Sequence, residues 1–588
     1  MALELNGAQA LVRVLLGEQV RDVYGIVGGK LGALLHAISQ QSELRFLGVR
    51  HEGAGPMMAA ATHAGTGRMA VAIAEMGPGG LNMASGLGVA FANNLPLLAV
   101  TTNQHRAASY PHSGMFMDLD TVGVTRPVTK WNAVVHDARR MPELARRAFR
   151  EALSGRPGPV HLDIPQDVLS QRCSFADDAF DIAPAHYRAT GRVRPDAAGV
   201  ADAIALLRTA RRPLVVAGGG VVASGAAPQL RELARRLNAP VVPTQMALGV
   251  VASDSPHFIG HGGLIAGEAV RHAFAQADAI VAVGCRWSSW MWDAHGPFAR
   301  RGHRMVSINI DPLALGHPAL HAVALQADAG AALDDLLAAW DDGVAARVDV
   351  DWLPAARGVR AAYEAKLSAL ADSAAEDGEA MHPATLAREI ARALPGDALA
   401  VYDGGHTSFW SNDFTPVHAV RTRFHEPGMS HLGFGLPYAM ALQAQHPGRA
   451  VVQVTGDGSF GFTMNELDTA RRHRLPVLTV IHNNEAWGII RTGQRNALGF
   501  ELGTGLEETD YAAIARGFGC HGERVTRAEE VGPAMQRALA SGLPAVLDCR
   551  TRFVPHPAMP MFGSMNRFGF DALTHAGTST PDAPGVTP

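Results

Sequence analysis

The stretch V-T-G-D-G-S-F-G, residues 454–461, closes the apolar run A-V-V-Q-V and precedes F-T-M-N-E-L-D-T-A-R-R, which reads as a helix. Gly456-x-Gly458-x-x-Gly461 has the spacing of a dinucleotide-binding loop between a strand and a helix. Such a loop needs an acid about 20 residues on, at the end of the next strand, to hold a ribose hydroxyl. The next strand pattern, L-P-V-L-T-V-I, ends instead in His482-Asn483-Asn484. The loop also carries Asp457, which would repel a diphosphate unless a cation lay between them. Asp457 and Asn484, 27 residues apart, end two successive strand patterns, and in a parallel sheet such ends share the ligand-binding edge. A carboxylate, an amide oxygen and a nearby backbone carbonyl suit a hard divalent ion, with diphosphate oxygens and water completing the octahedron of Mg²⁺. The helix after Ser459 is expected to point its amide dipole at the same diphosphate. A glycine turn with an incidental aspartate accounts for G-D-G alone, but not for the N-N pair at the next strand end.

Around this loop the chain runs to 588 residues, enough for about three or four domains. Its 47% hydrophobic and 18% charged content describes a well-packed globular protein. A formal net charge of -4, with no Lys/Arg-rich block, gives no reason to expect a nucleic-acid partner. Four scattered cysteines form no C-x-x-C, which argues against a disulfide framework or thiolate zinc and suits a reducing cytoplasm. No apolar run approaches the roughly 20 residues that span a bilayer, and the N-terminus has no signal-peptide core.

Short apolar runs alternate with amphipathic helical patterns throughout, predicting α/β units with parallel sheets. Composition separates three blocks: 1–175, 195–340 and 382–555, with a linker at 176–194, a partly helical connector at 341–381 and an extension at 556–588. The first and third blocks share a strand, Gly-rich turn, helix and L-P-apolar strand, suggesting one fold used twice.

G-D-G-S-F together with N-N-E-A-W-G resembles the diphosphate and metal motif of thiamine-diphosphate enzymes of the acetolactate synthase and pyruvate decarboxylase group. R-H-E-G-A-G (50–55), G-P-G-G-L-N (77–82), V-T-R-P-V-T-K-W-N (124–132), D-G-G-H-T-S-F-W (403–410) and H-L-G-F-G-L-P (431–437) extend the resemblance along nearly the whole chain. It implies three doubly wound domains: pyrimidine-binding, central and diphosphate-binding. It also implies a site divided between subunits, hence a homodimer at least and commonly a homotetramer.

By this resemblance Glu52 reaches the pyrimidine ring of the cofactor, where a shielded carboxyl with a raised pKa can exchange a proton with a ring nitrogen. The C2 ylid that follows attacks a carbonyl, and the ring then serves as an electron sink. Asp457 and Asn484 are implied metal ligands through their side chains, and Ala486 through its carbonyl. Pro78, Asn82, His406, Thr407, Ser430, Gly456, Gly458 and Ser459 are implied cofactor contacts, and Leu432 the bulky wedge that bends the cofactor.

The reaction is less sharply marked. Acetolactate synthases carry A-F-Q-E before V-T-R-x-x-T-K, where this chain has M-F-M-D, so Met117 replaces a polar Gln. Their tryptophan nine residues beyond the second Asn is replaced by Gly493. The double histidine of simple decarboxylases is absent, leaving His112 alone as a proton-donor candidate. Segments 403–410 and 483–488 resemble benzaldehyde lyase, and the layout resembles 2-hydroxyacyl-CoA lyases. The expectation is a lyase or carboligase acting on a 2-hydroxy carbonyl compound, with Phe116, Met117 and Trp487 near the substrate. Acetolactate-synthase-like or 2-keto acid decarboxylase activity is the alternative. The Met-, Phe- and Pro-rich segment 553–570 suits a lid over the site mouth or an arm on a neighbour. Gly218-Gly219-Gly220 is a weak G-x-G-x-x-A match in the central block, where relatives hold FAD, ADP or nothing. An FAD-containing, pyruvate-oxidase-like enzyme is therefore a further alternative. A binding protein without turnover would be expected to lack Glu52, Asp457 or Asn484; all three are present.

Overall fold

In a computed structural model of the chain, residues 2–109, 112–263, 265–288, 290–291, 304–316, 320–372 and 380–557 are described. The N-terminal region holds β1 (Leu3–Asn6), β2 (Asp22–Gly25), β3 (Arg45–Gly48), β4 (Val71–Ala74), β5 (Leu98–Asn103), β6 (Trp131–Val134), β7 (Val160–Pro165) and β8 (Arg172–Phe175). A six-stranded parallel sheet runs β3-β2-β4-β5-β7-β6, while β1 and β8 pair antiparallel. Helices α1 (Ala54–Thr66) and α2 (Pro78–Ala92) follow β3 and β4. The central sheet takes the order β10-β9-β11-β12-β13 from β9 (Pro213–Ala217), β10 (Val241–Pro243), β11 (Ala279–Val283), β12 (Arg304–Asn309) and β13 (Val323–Gln326). The connector is the long helix α3 (Trp352–Asp372).

The C-terminal sheet contains β14 (Leu399–Tyr402), β15 (Arg423–Phe424), β16 (Val451–Gly456), β17 (Leu478–Asn483), β18 (His521–Val525) and β19 (Ala545–Arg550), ordered β15-β14-β16-β17-β19-β18. This is the winding of the N-terminal sheet repeated strand for strand. The continuous apolar runs are explained by it, because helices cover both faces of these sheets and their strands are buried on each. Helices α4 (His406–Phe414), α5 (Gly435–Gln445), α6 (Asp457–Phe460), α7 (Glu466–Arg472) and α8 (Gly488–Leu498) complete the parts needed below. One expectation is corrected. The helix after the G-D-G loop is a single turn, α6, and the chain passes through turns at 461–465 before α7 begins.

The outer sheets are joined by α1 and α5. Helix α5 is buried over Gly435–Ala444, and α1 offers Ala59, Ala60 and Ala61 with no exposed surface. Small residues on α1 let the helices approach closely: a Cβ at Gly65 would lie 2.6 Å from Leu442 Cδ2. A single apolar core therefore spans the N- and C-terminal sheets. Among the described residues no helix is long and apolar enough to cross a membrane.

Leu442 sits at the middle of this seam with no exposed surface. Leu442→Ala is expected to cost about 2–5 kcal/mol, read as a lowered first transition in a thermal scan. Leu313→Ala, at a side chain 86% exposed, should leave that transition in place.

Candidate functional site

The C-terminal ends of β14, β16 and β17 open into one pocket of about 270 Å³. The register that pairs Gly456 with His482 brings Asp457 and Asn484 to adjoining strand ends. Asp457 Oδ1 accepts the amide of Gly458 at 2.9 Å, and backbone amides of Ala486 and Asn484 also face its carboxylate. Asp457 Oδ2 and Asn484 Oδ1 are buried acceptors with no hydrogen-bond partner. Burial pushes the Asp457 carboxyl up to about 6, since a charge withdrawn from water is costly. Two unpartnered oxygens at one sheet edge, with the Ala486 backbone alongside, fit a small oxygen-seeking cation. Among the described residues no cluster of three or more His, Cys, Asp or Glu could hold a metal. A set of one carboxylate, one amide and one carbonyl is consistent with that.

His406, Thr407, Ser430, Leu432, Gly456, Gly458, Ser459 and Trp487 line the same pocket. Thr407 Oγ1 lies 3.3 Å from where a Gly456 Cβ would sit, and the Trp487 ring covers Gly458. Ser430 is exposed at the rim with φ +54°. Both ring nitrogens of His406 are buried without partners, and burial holds its pKa down to about 3. The imidazole is therefore neutral near pH 7, as are those of His425 and His482, held down by burial to about 4 and 3. Among the described residues, the pocket lining includes three acids (Asp403, Glu426 and Asp457) and no Lys or Arg.

Glu52, Pro78 and Asn82 lie elsewhere. Glu52 follows β3 and is half-buried, and Asn82 Nδ2 on α2 donates to its Oε2 at 2.9 Å. Pro78 opens α2 beside them. Phe116 and Met117 belong to this second locus, for the Met117 carbonyl lies 2.6 Å from a Cβ placed on Gly77 and Gln104 Nε2 donates to the Phe116 carbonyl. Phe116 is 79% exposed. His112 Nδ1 pairs with Asp118 Oδ1 at 2.5 Å on the exposed 112–118 loop. The two groups of residues thus form separate loci in one chain.

Several pocket residues carried no signal in the sequence. Trp290 comes from the central region and meets Phe409 at 6.2 Å and His425 at 5.8 Å between ring centroids. Ile489 and Glu426 complete that wall, together with Phe434 of the H-L-G-F-G-L-P stretch. At the start of the expected C-terminal extension, His556 contacts Trp410 and its Nε2 lies 3.1 Å from Asp413 Oδ2. The rest of that segment, from 558, lies outside the described residues.

A second cavity, about 460 Å³, opens at the C-terminal ends of the central strands and shares Trp290 and His425 with the first. Gly218 and Gly220 line it, but their absent side chains have another cause. A Cβ on Gly218 would stand 2.1 Å from the Gly284 carbonyl oxygen, so two loops touch backbone to backbone. Asp311 and Asp328 line the cavity after β12 and β13, well beyond the glycines in sequence.

Comparison with known proteins accords with this layout. Residues 5–124, 200–336 and 403–549 match the N-terminal TPP-binding, central and C-terminal TPP-binding domains of thiamine pyrophosphate enzymes. The acetolactate synthase of Mycobacterium bovis is 30% identical over 555 residues, covering 93% of this chain and 88% of that protein. The acetolactate synthase isozyme 2 large subunit of Escherichia coli is 29% identical over 549 residues, covering 92% and 95%. The probable acetolactate synthase large subunit of Methanocaldococcus jannaschii is 28% identical over 573 residues, covering 95% and 93%. The chain belongs to the thiamine pyrophosphate enzymes and depends on thiamine diphosphate.

Proposed function

We propose that the enzyme makes or breaks a carbon–carbon bond beside a carbonyl, as a lyase or carboligase on a 2-hydroxy ketone or 2-hydroxyacyl thioester. The observation that carries this reading is the apolar wall of Trp290, Phe409, Phe434 and Ile489. Such a wall gains about 25 cal/mol per Å² from an aromatic or bulky apolar acyl group and little from a small polar one.

Bound thiamine diphosphate supplies a nucleophilic carbon and an electron sink. In this reading Asp457, Asn484 and the Ala486 carbonyl hold Mg²⁺, while Gly456, Gly458, Ser459, Thr407 and His406 border the diphosphate. Leu432 supports the bend of the cofactor, with Ser430 at the rim. Glu52 holds a proton against the pyrimidine, oriented by Asn82. Its separation from the pocket supports a site completed by a second copy, in a homodimer or a homotetramer. Val27, Leu81 and Phe116 near Glu52, and Phe462 and Ile490 near the pocket, are exposed apolar side chains that a second copy would cover. Four buried, unpaired cysteines suit a cytoplasmic setting.

The relatives favour a second reading, acetolactate formation from pyruvate. Incubating holoenzyme with pyruvate, with benzoin-type ketones and with 2-hydroxyacyl-CoA thioesters, followed by product analysis, separates the two. The first reading expects cleavage or ligation of the bulky substrates at a kcat/KM at least about tenfold above that for pyruvate; acetolactate as the dominant product would sink it. Glu52→Gln should lower kcat by about 10²-fold or more with little change in cofactor affinity. Near wild-type turnover in that variant would refute the assigned role.

The central cavity supports an adenine-nucleotide or flavin site, bordered by Gly219, Ser224, Asp311 and Asp328. Flavin absorbance, or adenine nucleotide released from purified protein on denaturation, is the expected result. Failure of FAD and ADP to bind the holoenzyme in calorimetry removes this part of the reading.

A further inference from the structure

Glu426 is a buried carboxylate in the pocket wall that neither the motifs nor the chemistry above employs. It follows β15 and is 2% exposed. The chain after it folds back around the carboxylate: Met429 N donates to Oε1 at 2.6 Å, and His431 N donates to Oε2 at 2.9 Å. Asn93, at the C-terminal end of α2, donates from its Nδ2 to Oε1, and its Oδ1 accepts Gly428 N at 3.2 Å. Gly428 is pressed so closely to α2 that a Cβ would stand 2.6 Å from the Ala92 carbonyl oxygen.

The next residue after this turn is Leu432. Beyond it, Gly433 N donates to Ser459 Oγ at 2.9 Å, and Thr463 Oγ1 donates to the Gly433 carbonyl at 2.7 Å. Leu432 is therefore clamped from two sides: Glu426 fixes the amide before it, and the diphosphate-loop region fixes the residue after it.

We infer that Glu426 is a positioning residue for the cofactor, setting the place of Leu432 by gathering the 428–431 turn around its carboxylate and tying that turn to α2 through Asn93. The inference rests on the pocket assignment proposed above.

Every hydrogen-bond partner named is a donor, so the ionised form is the one the turn fits. Protonation removes an acceptor site and leaves a donor without an acceptor. Burial pushes this carboxyl up to about 7, against the pull of its amide and Asn93 donors. Arg286 of the central region and Tyr438 of α5 face it electrostatically, with His425 and His431 on its own segment. His425 is held neutral by burial, and burial lowers His431 as well.

The test is the Kd of thiamine diphosphate at saturating Mg²⁺, read by quenching of intrinsic tryptophan fluorescence. Glu426→Gln imitates the protonated carboxyl. It should weaken cofactor binding ~10-fold at about pH 8, with the gap to wild type closing toward about pH 6. On a Leu432→Ala background the same change should add little, because both act through one contact. Wild-type Kd at pH 8, a loss independent of pH, or full additivity with Leu432→Ala each overturns the role. Should Glu426→Gln fail to fold, Asn93→Ala removes one donor and is expected to weaken binding about two- to threefold; no loss there counts equally against the inference. Asp457→Ala and Leu432→Ala serve as controls. If neither changes Kd, the pocket assignment falls and this inference falls with it. If both do and Glu426→Gln does not, the inference alone fails.

Discussion

The pocket at the edge of the C-terminal sheet hangs on one buried carboxylate, Asp403, at the end of β14. Its Oδ1 accepts Ser459 Oγ at 2.6 Å and its Oδ2 accepts Gly435 N at 3.0 Å. Amides of Gly404 and Gly433 face it as well. Three separate loops, 403–405, 433–435 and 456–459, are thereby fixed to one point. Burial pushes this carboxyl up to about 6 while the donors pull it down, as expected of an acid taken from water and only partly repaid by hydrogen bonds. Removing it would leave Gly435 N without its partner and free the G-D-G loop from the segment that presents Leu432.

The same device recurs at the joint between the outer sheets. Glu466, on α7 and fully buried, accepts the backbone amides of Arg50 and His51, immediately before Glu52. Thr469 Oγ1 donates to its other oxygen at 2.6 Å. Through this contact the segment leading to Glu52 is held by the region that carries Asp457. The α1–α5 seam fixes the sheets in the same relation. Packing of this kind holds Glu52 firmly but outside its own chain's pocket, which is what a site shared between two copies requires.

Much of this was readable from the sequence because parallel sheets convert spacing into place. Once A-V-V-Q-V and L-P-V-L-T-V-I are neighbouring strands, Asp457 and Asn484 must end at one edge, and the register between β16 and β17 has that consequence. What was not readable depends on contacts between distant segments. Glu426 stands in H-E-P-G-M-S, which has no periodic or motif signal, and its meaning comes from Asn93, 333 residues away. Trp290 joins the pocket from another domain. The helix expected over 462–472 begins only at Glu466, after the single turn α6 and the turns at 461–465, and Glu466 is the residue tethered to Arg50 and His51. The glycines of the central region were ambiguous for a related reason. Glycine marks close approach, and the partner in that approach is the Gly284 loop of the chain itself.

The charge pattern of the pocket explains why its loop departs from a dinucleotide fingerprint. A diphosphate brings strong negative charge, yet the described residues lining this pocket include Asp403, Glu426 and Asp457 and neither Lys nor Arg. Histidine does not supply the missing cation, because burial keeps His406, His425 and His482 neutral near pH 7. Backbone amides offset part of the repulsion, but α6 is a single turn and presents few of them. An anion could not settle among these acids unaided. Positive charge brought with the ligand, as a divalent ion, would relieve this repulsion. Asp457 Oδ2 and Asn484 Oδ1, buried and unpartnered, stand where such an ion would be held. The aspartate that departs from the nucleotide fingerprint thus suits a metal-bound diphosphate, the ligand proposed for this loop.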